Sequence, residues 1–233
     1  MGAEVAAFAR AATRVVMKVV SPQEGYHLWA ESFDTSGSAI LALESRHLAP
    51  WIASVRGRVI DIGCGTGRWM SFTRAIGVDA SRDMLRAAAK KPRLSGRLAQ
   101  ADGRQLPFRD AAADATICTL TIGHVQPVGA ALGELARITR PGGVVIVTDF
   151  HPDALRRGWK RTFSCEGETC EIETAPYAIR EVSHEELQLE EFRELSFDEP
   201  ERSLFDAAGK AALFDEVRGM PAIWIARFRR RSE

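Results

Sequence analysis

The sequence predicts an α/β protein: a doubly wound, seven-stranded, mostly parallel sheet with helices on both faces. Three observations predict it. From Arg58 onward, short apolar runs alternate with segments of helical periodicity. Residues 144–148 form a run rich in branched residues, as a strand covered on both faces requires. A turn with glycine at every second position, Gly63, Gly65 and Gly67, follows the first apolar run, where an open α/β sheet binds its ligands.

The elements follow in order. Val5, Phe8, Ala12, Val15, Val16 and Val19 stand at helical spacing and predict an amphipathic helix over residues 1–20, which Ser21-Pro22 ends. No apolar stretch there is long enough for a signal peptide or a membrane span, so a cytoplasmic protein is expected. Residues 1–50 form an N-terminal helical segment ahead of the main domain at 51–233. Strands are expected at 59–62, 75–78, 97–100, 115–121 and 144–148. Residues 68–74 suggest a short helix. Ser81 caps the next one, which carries Met84, Leu85 and Ala88 on one face and closes at Pro92. Leu132, Leu135, Ala136 and Ile138 mark a helix over 128–139, stopped by Pro141-Gly142-Gly143. Residues 161–177 read as a hairpin around Gly167, and 183–191 as an acidic helix. Residues 192–197 and 223–228 complete the sheet as an antiparallel edge pair.

Composition bounds the function. The chain has 233 residues, 45% hydrophobic and 27% charged, with 31 basic and 31 acidic side chains. That balance gives no long-range attraction to nucleic acid or to an acidic membrane. The terminal run Arg227, Arg229, Arg230, Arg231 reads as a solvated basic tail. Cys64, Cys118, Cys165 and Cys170 form no C-x-x-C pair, so no metal site is expected. Cys165 and Cys170 read as free thiols.

Three acidic positions carry the chemistry. Arg68 occupies the place of the third glycine in a dinucleotide fingerprint, which argues against close helix packing on a pyrophosphate. Asp61, just before the turn, suits a cationic ligand better. Asp79 ends the second strand, where a carboxylate can accept from both hydroxyls of a ribose. Asp102, beside Gly103 after the third strand, can accept an adenine amino proton.

Taken together, VIDIGCGTGRW at 59–69, GVDASRDML at 77–85, ADGRQLPFRD at 101–110 and PGGVVIVTDF at 141–150 resemble the class I S-adenosylmethionine-dependent methyltransferases. The likeness is to the group in which D-x-x-x-LPF and a Pro-Gly-Gly turn recur, and spans roughly 58–150. It implies a methyltransferase domain over 51–233 that uses S-adenosyl-L-methionine and releases S-adenosyl-L-homocysteine. It implies Asp61, Gly63, Cys64, Gly65 and Gly67 around the methionine part, Asp79 with Ala80 at the ribose, and Asp102 with Gly103 at the adenine. Residues 25–34 resemble the aromatic segment that folds over the cofactor in these enzymes. Tyr26, Trp29 and Phe33 either face a sulfonium there or pack on the core. Eleven residues lie between Gly67 and Asp79, a short crossover that requires a brief first helix. Two other readings remain: a non-catalytic adenosyl-ligand-binding protein of the same fold, and a nicotinamide-dependent oxidoreductase, which Arg68 and the Asp102 motif count against.

For the acceptor, a sulfonium leaving group needs mainly an aligned nucleophile. His124 and His151 follow the fourth and fifth strands, so both are expected as catalytic residues at one crevice. A histidine base predicts activity changing near pH ~6.5. Residues 151–182 have no counterpart in the minimal fold and are expected to cover the acceptor. Their Arg156, Arg157, Trp159, Lys160, Arg161, Phe163 and Tyr177 either suit an anionic or aromatic small molecule or belong to a solvated helix and hairpin. No N-P-P-Y motif is present, which disfavours DNA methylation. The protein is expected as a monomer or homodimer.

Overall fold

The computed structural model describes residues 17–165 and 167–232. The expected N-terminal helix lies outside the described residues as far as residue 16, and beyond that point Lys18–Val20 is a strand, β1. Ser21-Pro22 starts a helix rather than ending one. The Ser21 hydroxyl accepts from the Glu24 amide at 3.2 Å, and Pro22 sits in the first turn of α1, Pro22–Trp29, where its missing N–H would find no helical partner anyway. Ser38 caps α2, Ala39–Ser54, in the same way.

The main sheet has seven strands. Across it run β4 (Leu98–Gln100), β3 (Ile76–Asp79), β2 (Val59–Ile62), β5 (Ala113–Thr119), β6 (Thr139–Phe150), β10 (Pro221–Arg230) and β9 (Leu187–Ser196). Neighbours from β4 to β6 pair parallel, and β10 pairs antiparallel with both β6 and β9. Strand side chains alternate between two cores. Ile117, Ile146, Ile223 and Ile225 join the core under α2, and Cys118, Val147, Trp224 and Ala226 join the core under α4, Val128–Ile138. Chain order reverses between β2 and β5, which opens the crevice at their carboxyl ends.

Four expectations change. Residues 68–74 hold only a 3-10 turn at Trp69–Ser71, because the crossover to β3 is too short for more. Residues 183–191 are not a helix; from Leu187 they belong to β9. There Glu190 meets Arg227 at 3.1 Å and Arg229 at 2.8 Å across the strands, so cross-strand pairing overrides the helical pattern. The arginine run is therefore no solvated tail: it lies within β10 as far as Arg230, whose guanidinium donates to the Ala136 carbonyl at 2.6 Å, near the C-terminus of α4. Pro141-Gly142-Gly143 lies inside β6, in the register shift where pairing with β5 resumes at Val144. Two helices without a sequence expectation, α6 (Glu199–Ala207) and α7 (Ala211–Val217), bury Phe205 and Phe214 in the first core.

A second sheet decides the site. After α5, Pro152–Arg156, the hairpin β7 (Arg161–Cys165) and β8 (Glu168–Ile172) forms, and β1 adds to β8 in parallel. Trp29 of α1 stacks on Phe163 at 5.2 Å between ring centroids. Val20, Cys170 and Ile172 complete this third core. The N-terminal segment and the insertion, distinct in sequence, thus form one roof. The four cysteines are free. Among the described residues no helix is long and apolar enough to cross a membrane, and no cluster of ligating side chains could hold a metal ion.

Candidate active site

A cavity of about 590 Å³ lies between the carboxyl ends of β2, β3 and β5 and the roof. Its floor is the glycine turn. The Gly63 amide donates to the Val78 carbonyl at 2.7 Å, and the Gly65 amide to Asp79 Oδ2 at 2.8 Å. At Gly65 φ is +54°, and a Cβ there would meet nothing within 4 Å, so its backbone faces open space. Gly63 is the opposite case, since a Cβ would fall 2.2 Å from the Thr121 side chain.

Ten of the expected cofactor and catalytic positions line this cavity: Tyr26, Trp29, Gly63, Cys64, Gly65, Asp79, Ala80, Asp102, Gly103 and His124. Asp79 Oδ1 also accepts from the Ser81 amide at 2.7 Å. Burial raises its carboxyl above the usual range, against these backbone hydrogen bonds. Asp102 is gripped by its neighbour: Arg104 Nε donates to Oδ1 at 3.0 Å and holds the carboxyl below its ordinary range. Burial pushes the Cys64 thiol well up, leaving it a protonated wall residue.

Three expected positions lie elsewhere. Gly67 turns toward Leu94, 2.3 Å from where its Cβ would be. Asp61 sits beneath the turn, 1% exposed, with Oδ1 unpartnered. His151 leaves the crevice altogether: its Nε2 meets Glu194 Oε1 of β9 at 3.0 Å, and its Nδ1 accepts from the Asp153 amide at 3.1 Å to cap α5. The reason is the start of α5 directly after β6, which spends this side chain on the helix N-terminus. Arg156 and Arg157 likewise stay outside the cavity and exposed.

Burial pushes the Asp61 carboxyl up to about 8, with Arg68 opposing and Asp79 and Glu44 reinforcing. The folded protein therefore holds a proton here that the unfolded chain releases near pH ~3.9. Stability contributed by this group falls as pH rises from that point through about 8. Asp61→Asn should flatten this fall, measured as the urea midpoint between pH 5 and 9; an unchanged slope would place the proton elsewhere.

At the far end of the cavity four elements meet. Arg161 of β7, 6% exposed, donates from Nη2 to Asp149 Oδ1 of β6 at 2.7 Å, from Nη1 to the Leu120 carbonyl at 2.7 Å, and from Nη1 to the Tyr26 oxygen at 3.4 Å. Tyr26 Oη lies 3.0 Å from His124 Nε2. A guanidinium only donates, so the Tyr26 oxygen accepts from Arg161, while its hydrogen bond with His124 Nε2 runs in the direction the imidazole tautomer sets. The other ring nitrogen, Nδ1, is buried and unpartnered. Burial, and then the Arg161 charge, hold the His124 imidazole well below its usual range, hence neutral. Asp149 was missed at the sequence level; an aspartate closing an apolar strand was its only signal.

The likenesses to known proteins agree with this geometry. Residues 60–147 match the model of a methyltransferase domain. A malonyl-[acyl-carrier protein] O-methyltransferase of Pectobacterium atrosepticum is 29% identical over 208 residues, 86% of this chain and 75% of that one. A demethylmenaquinone methyltransferase of Roseiflexus castenholzii is 37% identical over 99 residues, but this spans only 38% of the chain and 41% of that enzyme. A solved S-adenosylmethionine-dependent methyltransferase from Mesorhizobium loti shares the fold, with TM-score 0.59 and 18% identity over 82% of this chain and 100% of the other. Fold and cavity define a doubly wound α/β protein with a ligand crevice where its strand order reverses. These likenesses support a class I S-adenosylmethionine-dependent methyltransferase with S-adenosylmethionine as its cofactor. The nicotinamide reading falls with that assignment.

Proposed function

We propose that the enzyme methylates an acidic oxygen of a small molecule, presented at the Tyr26–His124–Arg161 end of the cavity. The cluster itself carries this reading. When bound, S-adenosylmethionine supplies a methyl group already activated on a sulfonium. The open backbone at Gly65, the acceptor atoms of Asp79 and Asp102 and the cavity volume fit such a group. In this reading Gly63, Cys64 and Gly65 border its methionine part, Asp79 and Ala80 its ribose, and Asp102 and Gly103 its adenine. Asp61 and Gly67 shape the turn from behind. Tyr26 and Trp29 offer aromatic faces to the sulfonium.

The remaining residues set the acceptor. His124, held neutral by burial and by Arg161, is a weak base, which favours a nucleophile that arrives already ionised. Arg161 and the Tyr26 hydroxyl are donors suited to an oxyanion, and Arg161 Nε has no partner. The malonyl-[acyl-carrier protein] O-methyltransferase likeness, which spans 86% of this chain, supports an oxygen acceptor. The demethylmenaquinone methyltransferase likeness covers less than half of the chain.

The test is methyl transfer from labelled cofactor to a panel of carboxylic acids, phenols and amines. Acids should be labelled in preference to amines. Tyr26→Phe should lower kcat/KM roughly tenfold, the loss of one charge-assisted hydrogen bond. The rate should stay flat across pH 6–8, because the His124 titration is displaced downward rather than near ~6.5. Amine labelling, or a rising limb centred near ~6.5, would sink the reading.

A further inference from the structure

The N-terminal part of the roof, residues 21–36, is fastened by different chemistry on its two sides. Toward the small sheet the fastening is apolar and buried, with Trp29 stacked on Phe163 and Ile172 beside them. Toward α3, Arg82–Ala89, and the residues just after it, the fastening is polar and largely exposed. His27 Nδ1 lies 2.7 Å from Asp83 Oδ2, Lys90 Nζ donates to Glu31 Oε1 at 2.8 Å, and Lys91 Nζ meets Asp34 Oδ2 at 2.6 Å. The innermost tie enters the glycine turn itself. The buried Thr66 hydroxyl donates to Asp34 Oδ1 at 2.6 Å, and Lys91 Nζ donates to the Thr66 carbonyl at 2.8 Å. The turn is thus held from two sides, by Asp79 from the sheet and by Asp34 from the roof.

This asymmetry decides which side yields. Stacked apolar surface resists exposure to water, whereas exposed ion pairs are individually weak and screened by salt. We propose that Asp34 and Lys91 are a positioning pair that closes the roof onto the cofactor-binding turn through Thr66, and that the roof opens for cofactor exchange on its α3 side, hinged at the small sheet. Closing the roof and shaping the turn are then one event, because Asp34 reaches the turn only when the roof is down.

The test reads cofactor release rather than turnover. Dissociation of S-adenosylhomocysteine can be followed by stopped-flow tryptophan fluorescence, since Trp29 and Trp69 both line the cavity. Asp34→Ala removes both ties and should speed release roughly tenfold. Asp34→Asn keeps an acceptor for Thr66 and should fall between the two. Lys91→Met should match Asp34→Asn, and the double variant should add little to either. Added NaCl should speed release from the unsubstituted protein more than from the His27→Ala/Glu31→Gln/Asp34→Asn variant. In cofactor-free protein, Asp34→Asn should accelerate amide exchange along residues 22–29 while sparing β7 and β8. Unchanged release and salt dependence in folded Asp34→Asn and Lys91→Met proteins overturns the positioning pair. Equal acceleration in β7 and β8 overturns the hinge.

Discussion

Leucine at position 65 should cost the enzyme its cofactor while leaving a folded protein. Gly65 stands at φ +54°, and a side chain there would point into the empty part of the cavity. The left-handed backbone costs an L-residue about 1–2 kcal/mol, which a domain of this size tolerates. The leucine itself would occupy space that a ligand lying along the turn needs. The expected loss in affinity for S-adenosylhomocysteine is at least roughly a hundredfold, about 2.8 kcal/mol. Calorimetric titration measures it, and thermal unfolding checks that the sheet survives. Unchanged affinity in the folded variant would remove the turn from the binding site.

Arg161→Met should be among the most destabilising single changes in the cavity wall. Arg161 and Asp149 are 6% and 1% exposed, and their 2.7 Å contact joins the roof to the sheet. Removing the cation leaves a buried carboxylate without its counter-charge, an expected loss of about 3–5 kcal/mol. The sign of its pH dependence follows. Burial already raises the Asp149 carboxyl, with Arg161 opposing. Without Arg161 its folded value stands further above the unfolded ~3.9, so the folded variant holds a proton the unfolded chain lacks. Stability should then fall as pH rises, and the deficit against the unsubstituted protein should shrink in acid. Adding Asp149→Asn should recover part of the loss. Urea unfolding at pH 5 and 8 reads this; a deficit equal at both pH values would show that Asp149 does not bear the cost.

Most of the sheet was legible because its signals are local. The apolar runs that became β2, β3 and β5, the Ser81 cap and the glycine turn each depend on a few adjacent residues. Where local signals conflicted with partners far along the chain, the partners won. Residues 183–191 carry a helical acidic pattern, yet Glu186 and Glu190 are drawn to Arg230, Arg227 and Arg229 on β10. Ser21-Pro22 is a breaker or a starter depending on what lies beside it, and β1 settled which.

The sequence by itself, through the resemblance its motifs carry, pointed to the cofactor class, and the spacing of Gly63, Gly65, Asp79 and Asp102 along consecutive strand ends puts them on one edge of any doubly wound sheet. Tertiary structure alone decided the far end of the cavity. His124 and His151 occupy equivalent places after neighbouring strands, yet one meets Tyr26 in the cavity and the other caps α5 and turns to Glu194. Tyr26, His124, Asp149 and Arg161 come from four separate stretches, and only the packing of α1 on the small sheet brings them within hydrogen-bonding reach. Local periodicity carries no information about such contacts, because they depend on which apolar faces find each other when the roof closes.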